Sequence, residues 1–201
     1  MKWIFKSKEP DLTLERLANT INRINSNNLV SASDSTFYAT NLPFYEDFKL
    51  YTFIDLSFTP YLEMKLLDNV KYTFIIDGTQ NAFIEANKLS PLVLTIENVY
   101  EYAMLVLGNT KKNDYSYRLV NSVDEINFST EPTFAQYQQL ESSIKPPRIK
   151  KEKDNFIIKA TILYGDSVVK ASIIVSLNGR VDITKEKIVL DNMPVQELIL
   201  D

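Results

Sequence analysis

The sequence predicts an α+β protein in which antiparallel meanders pack with about three to four helices. Apolar residues alternate with polar ones along several segments, as in half-buried strands, and recur at helical spacing along others. The only four glycines each fall where a turn or a helix stop is expected. Apolar residues make up 45% and charged residues 24% of the 201 residues, a balance typical of a globular protein with its own core.

The N-terminal part begins with a predicted helix over 11–25, because Leu14, Leu17 and Ile21 form one apolar stripe. Three strands follow, over 50–58, 62–66 and 72–76, with turn residues between them. Successive strands joined by short turns indicate an antiparallel meander.

Two aromatic pairs, Phe37-Tyr38 and Phe44-Tyr45, precede these strands in a stretch whose pattern favours no regular structure. The middle of the chain returns to helical spacing. Helices are predicted over 79–89, 97–108 and 131–144, with short strands over 91–95 and 115–120.

The C-terminal part predicts a second meander of three strands, over 156–164, 169–177 and onward from 181. Gly165-Asp166 and Asn178-Gly179 separate these strands. Both dipeptides favour two-residue hairpin turns, because their residues tolerate positive φ angles.

Composition changes at Pro146-Pro147, which predicts a boundary between two regions. Residues 1–145 would hold the N-terminal helix, the first strands and the central helices, and 146–201 the C-terminal β-meander, packed together as one compact unit. The two meanders could form two lobes or join into one curved sheet. A helix held by such a sheet resembles the cystatin-like and NTF2-like folds, a resemblance that implies no activity.

Several functional classes are excluded or disfavoured by what the sequence lacks. Without His or Cys, no histidine-dependent nucleophile, thiolate or usual zinc site is available. Neither of the glycine-rich phosphate-binding patterns, G-x-G-x-x-G and G-x-x-x-x-G-K-[ST], occurs in the sequence. We therefore expect no cofactor, and we expect no metal. A net charge of −4 disfavours nucleic acid and anionic membranes as partners. No signal peptide or membrane span is expected, so the sequence predicts a soluble, cytoplasmic protein.

Two carboxylates are candidate pocket residues. Asp55 lies in an apolar strand, which predicts burial, and a buried Asp55 must be paired or protonated; Glu63 could face it. Asp77 ends the segment 73–77 before Gly78-Thr79, which resembles the first motif of the haloacid-dehalogenase phosphatases. The nucleophile of that motif is replaced by Ile75, so no phosphoaspartate can form and the favoured interpretation of Asp77 is a turn cap.

Tyr38, Tyr45 and Tyr51 are the aromatic candidates for a pocket or an interface, because a rigid ring with a polar tip suits contact surfaces. The basic segment 145–153 could bind an acidic partner or a phosphate backbone. Because the rest of the chain is acidic, a solvated connector is the favoured interpretation of that segment.

These observations favour a non-enzymatic binding or protein-interaction module whose ligand or partner is not specified. The alternative is a small-molecule hydrolase or isomerase that uses buried carboxylate and Tyr residues. A third hypothesis is self-association of the chain through its edge strands.

Overall fold

The computed structural model describes residues 7–8, 11–25 and 30–196. It confirms an α+β fold with antiparallel sheets. Contacts divide the chain into two compact units. Among the described residues, the first comprises those up to Asp77 together with Asn81–Pro91, and the second comprises Gly78–Gln80 and 92–196.

The first unit is an antiparallel meander with strand order β1-β2-β3-β4-β5. The described residues form five strands in this sheet, two more than the three that the sequence predicts. The elements are β1 (Ser7–Lys8), α1 (Asp11–Ile24), β2 (Ser35–Asn41), β3 (Lys49–Asp55), β4 (Leu62–Asp68), β5 (Thr73–Ile75) and α2 (Asn81–Leu89).

Helix α1 closes the core of the first unit. Its residues Leu17 and Ile21 are fully buried in one apolar cluster with Phe37, Phe53 and Leu66 from three neighbouring strands. These strand residues share one face of the sheet, because Phe37 lies opposite Phe53, Phe53 lies opposite Met64, and Leu66 is two residues from Met64. Burial of side chains of this size contributes about 1.5–3 kcal/mol each, which explains why the amphipathic helix docks.

The expectation of weak structure is wrong for Phe37-Tyr38, which lie in β2, and is confirmed for Phe44-Tyr45, which lie between β2 and β3 outside any helix or strand. Phe37 lies in β2 directly opposite Phe53, with ring centroids 4.5 Å apart. Phe44 is fully buried, and its ring packs edge-on against Tyr45. Thr36 and Thr40 flank the buried Phe37 and Ala39 in the period-two pattern of a strand. The aromatic Tyr38, on the other face, made this alternation hard to recognise in the sequence.

The second unit contains one sheet with strand order β11-β10-β9-β7-β6. Strands β7 and β8 pair with opposite ends of the same edge of β9. The elements are α3 (Val99–Gly108), β6 (Lys111–Lys112), β7 (Tyr115–Val120), the 3₁₀ helix Val123–Glu125, α4 (Phe134–Ser143), β8 (Arg148–Glu152), β9 (Asn155–Tyr164), β10 (Ser167–Ser176) and β11 (Val181–Leu190).

The predicted C-terminal meander is therefore confirmed as β9, β10 and β11. The sequence left open whether the two meanders join into one curved sheet, and among the described residues they form two separate sheets. The basic segment is not a solvated connector, because Arg148–Glu152 forms β8, hydrogen-bonded to β9. Pro146 lies inside the second unit. Whether 1–145 and 146–201 behave as separate regions stays a prediction.

Three local expectations differ from the structure. The predicted strand over 91–95 has no regular structure. Helix α4 begins at Phe134 because Thr133 and Gln136 form a capping box that satisfies its first free N–H groups. The turn at Asn178 is longer than two residues: the Gly179 N–H donates to the Ser176 carbonyl, and Gly179 alone adopts a positive φ, of 85°.

The two faces of the second sheet are covered differently. On one face, Ile158 and Ile173 are fully buried, and the Tyr102 hydroxyl of α3 donates to the Gly179 carbonyl at 2.7 Å. On the other face, Leu140 and Ile144 at the end of α4 join a cluster that also contains Leu163 and Val168. Helix α4 thus covers only part of that second face.

No helix among the described residues is long and apolar enough to cross a membrane.

Candidate anion-binding groove

Asp55 is buried as expected, and three hydrogen bonds occupy its carboxylate. The Ser57 N–H and hydroxyl donate to Oδ1 at 2.9 and 2.6 Å, and the Ser35 hydroxyl donates to Oδ2 at 3.3 Å. Glu63 does not face it, because β4 places Glu63 opposite Ile54, on the other face of the sheet. The hydrogen bonds from Ser57 to Asp55 stabilise the turn that follows β3.

The remaining predicted site residues lie at separate places in the first unit. Asp77 is exposed after β5. The Tyr45 hydroxyl donates to Asn87 of α2, whereas Tyr51 lies in the cluster under α1. Tyr38 is half-buried in β2, and the register puts it on the opposite face from Tyr51. A pocket or interface role for these five residues stays a prediction.

The second unit has a groove of about 430 Å³ on the part of the sheet that α4 leaves open. Six cationic side chains line it, and none of the described residues that line it is acidic. They are Lys145, Arg148, Lys159, Lys170, Lys185 and Lys187. These six are a large share of the 22 lysines and arginines in a chain whose net charge is −4. The positive charge is therefore concentrated at this place.

Strand register brings four of the cations together. Arg148 of β8 lies directly opposite Lys159 of β9, and Lys170 of β10 lies directly opposite Lys187 of β11. Thr161 of β9 pairs with Lys170 and lies two residues from Lys159, so it shares their face. Directly opposed side chains have Cβ atoms about 4.5–5.5 Å apart, and opposed like charges destabilise a sheet.

An irregularity in β11 adds a fifth cation. The pairing of β10 with β11 shifts between Lys170 and Ser172, and Lys185 lies in the extra segment with a φ of 52°. A non-glycine residue in this left-handed region is uncommon. Bulges of this kind redirect a side chain, and here the bulge brings Lys185 to the groove beside Lys187.

In the part of the chain that the structure describes, no acidic side chain neutralises these charges. Within the described residues, Arg148, Lys159, Lys170, Lys185 and Lys187 form no ion pair and no side-chain hydrogen bond. Lys145 reaches only the carbonyl of Glu141, at 3.5 Å. The neighbouring Lys150 differs, because it pairs with Glu152.

One polar group lies at the base of the groove. Thr161 is only 2% exposed, and its hydroxyl forms no side-chain hydrogen bond in the described part of the chain. Among the described residues, only Arg118 has buried side-chain nitrogen or oxygen atoms without a partner, so the Thr161 hydroxyl is open to the groove and can donate to an acceptor there. Ser143 and Ser172 add two further hydroxyls to the lining.

A second cationic feature lies elsewhere in the second unit, on β7. The Nε and Nη2 atoms of Arg118 are buried without a hydrogen-bond partner among the described residues. Burial lowers the pKa of Arg118, and the charge of Glu125 opposes that shift. Burial also raises the pKa of Tyr100 to about 12, although its hydroxyl donates to Asn121 at 2.7 Å. Because the two guanidinium nitrogens are enclosed, this feature offers less access than the groove.

Sequence reasoning found only one end of the groove, in the segment 145–153. Lys185 and Lys187 lie in the charged run Lys185–Lys187 of β11. Lys159 and Lys170 are single lysines inside apolar strands, as in the runs Phe156–Lys159 and Val168–Lys170. Each interrupts an apolar pattern, but only the strand register shows that they converge. Alternation around the Gly165-Asp166 turn would have placed Lys159 and Lys170 on the same face of one hairpin, with Lys159 opposite Ser172 and Lys170 opposite Thr161.

No protein-family model, curated protein or solved structure matches the chain. The described residues also contain no group of three or more acidic side chains that could hold a metal ion. The geometry of the groove is therefore the basis for a functional proposal.

Proposed function

We propose that the chain is a binding protein and that the groove of its second unit binds an anionic ligand. The supporting observation is the convergence of six cations with no acidic residue among the described lining. Two directly opposed like-charge pairs, Arg148–Lys159 and Lys170–Lys187, cost stability in the free protein. A bound anion would remove that cost, because each cation would then face opposite charge.

The groove supports binding better than catalysis. Ammonium and guanidinium groups donate hydrogen bonds and accept none, and the lining hydroxyls lack a neighbouring base among the described residues. A reaction that needs proton transfer requires a group that can take up the proton near neutral pH. The enzyme alternative, in which Asp55 or Asp77 acts beside a Tyr or Lys, stays a prediction, as does a protein-interaction role for the tyrosines.

Retention on phosphocellulose at neutral pH and low salt tests this function. A protein with a net charge of −4 is repelled by an anionic matrix unless a local cationic site binds it. We expect the wild-type chain to be retained and then eluted when added salt shortens the electrostatic screening length to roughly 10 Å or less. The double variant Lys159→Gln with Lys170→Gln should flow through.

The matched control for this experiment is Lys151→Gln combined with Lys153→Gln, which removes the same charge. Lys151 lies on the opposite face of β8 from Arg148, and Lys153 lies in the following turn. This control should be retained like the wild type. Flow-through of the folded wild-type chain would contradict the proposal, as would equal loss of retention in both double variants.

A further inference from the structure

We infer that the ligand of the groove is a compact cluster of phosphate groups without an aromatic base, either a multiply phosphorylated small molecule or a short inorganic polyphosphate. This inference rests on the proposed function and names the chemistry of its ligand. Three properties of the lining support it: its size, its lack of aromatic side chains, and the density of its cations.

The size of the groove suits a small ligand. Its volume of about 430 Å³ falls within the range of roughly 300–1,000 Å³ that small-molecule sites occupy. The cations extend from Arg148 on β8 to Lys187 on β11, across four adjacent strands. Three strand spacings of about 4.8 Å give a width of roughly 14 Å. Several phosphates held by one small molecule can contact all four strands at once.

The lining offers no surface for a nucleobase. Proteins that bind single-stranded nucleic acid usually combine basic side chains with aromatic rings on which the bases stack. Among the described residues that line the groove, none is aromatic, although the chain has 11 Tyr and 11 Phe. The favourable contacts are therefore restricted to phosphate groups, and a nucleotide would gain nothing from its base.

The density of the cations also bears on the ligand. Five of the six are lysines, which act as compact point charges with no fixed direction of approach. The arginine fork fits carboxylate and phosphate alike, so the kind of cation alone does not separate these anions. The cations of four adjacent strands converge on one groove, and this favours a ligand whose negative charges lie close together, as in a phosphate cluster.

The hydroxyl of Thr161 supplies a neutral donor below the cations. It lies between Lys159 and Lys170 on the shared face, and it is unpaired within the described residues. A phosphate oxygen drawn in by the two ammonium groups would be able to accept its hydrogen bond. The residue would thereby select ligands whose anionic oxygen reaches the base of the groove.

Calorimetric titration of the full chain tests the inference. The probes are inorganic tripolyphosphate, inositol hexakisphosphate, a short oligothymidylate and a short oligoglutamate, all at the same salt concentration. We expect at least one of the two phosphate probes to bind about tenfold or more tightly than the oligothymidylate and the oligoglutamate, the difference that one additional charge-assisted hydrogen bond can make. The stronger of the two phosphate probes identifies the source of the phosphates.

Thr161→Val provides the second arm, because it keeps the shape of the side chain and removes the hydroxyl. It should weaken binding of the preferred phosphate probe severalfold, whereas Thr161→Ser should restore it. Equal or tighter binding of the oligothymidylate or oligoglutamate would overturn the ligand class but leave an anion-binding groove. Failure of every probe to bind the folded chain would overturn both the ligand class and the proposed function.

Discussion

Lys170 and Lys187 are direct cross-strand partners in β10 and β11, and both side chains line the same groove. Neither has an anionic partner among the described residues. A sheet that was optimised only for stability would place an acidic residue opposite one of them, because opposite charges stabilise such a pair. The pair is therefore better explained by a bound anion than by the stability of the fold.

Removing one charge of this pair should have opposite effects on stability and on binding. We expect Lys170→Gln to raise the free energy of unfolding by about 0.2–1 kcal/mol, the range for cross-strand charge pairs. The same change should weaken binding of the preferred phosphate probe about tenfold, through loss of one charge-assisted hydrogen bond. Urea denaturation and calorimetry measure the two effects. A variant that is less stable yet binds normally would contradict this explanation.

Asp68 forms a buried ion pair that should make the first unit sensitive to acid. Arg16 donates to its two carboxylate oxygens at 2.9 and 2.7 Å, and Asp68 is 1% exposed. Burial alone would raise the pKa of Asp68. Hydrogen bonds from Arg16, Thr73 and the Val70 N–H, together with the charge of Arg16, outweigh burial and lower the pKa overall.

A lowered pKa in the folded state fixes the direction of the pH effect. Asp68 stabilises the fold above its unfolded pKa of about 3.9, and this contribution is lost as the pH falls through the lower folded value. We expect Asp68→Asn to cost about 3 kcal/mol at neutral pH, because Arg16 loses its partner. The deficit should shrink near pH 3 in urea denaturation, whereas an equal deficit at both pH values would refute the assignment.

The matched control for Asp68 is Glu85→Gln. Glu85 accepts from Lys88 at 2.6 Å on the exposed surface of α2. Surface pairs of this kind contribute about 0.5 kcal/mol or less, so the control should change stability little.

The Tyr102 hydroxyl should contribute to the stability of the second unit. It is fully buried and donates to the Gly179 carbonyl. Tyr102→Phe would leave that carbonyl without its donor and should cost about 1–2 kcal/mol. Tyr164→Phe is the comparison, because its hydroxyl donates to the Lys112 carbonyl at 2.6 Å in an exposed position. Thermal unfolding that ranks Tyr164→Phe as the more harmful change would contradict the argument.

The sequence predicted most of the fold because local patterns specify most of its elements. The C-terminal meander was predictable from alternation and from Gly165-Asp166, whose turn joins the directly paired Tyr164 and Ser167. Strand β8 was missed because its residues are nearly all charged, and its pairing with β9 provides a stability that no local pattern reveals. Edge strands are often charged, since charge discourages pairing with other chains.

The site was much less predictable than the fold. The carboxylate and tyrosine candidates were chosen for their chemistry, and the structure leaves them in separate places. Lys159, Lys170 and Lys187 come from three strands, and their proximity depends on register and on the bulge at Lys185. Register is a long-range property, so single-sequence spacing does not contain it.

Backbone amide NMR of the full chain, titrated with inorganic tripolyphosphate, locates the bound anion. We expect the largest shifts on β8 to β11, around Arg148, Lys159, Thr161, Lys170 and Lys187. The Lys159→Gln, Lys170→Gln double variant should lose these shifts. Shifts centred on Arg118 instead, or no shifts at all at high probe concentration, would contradict anion binding in the groove.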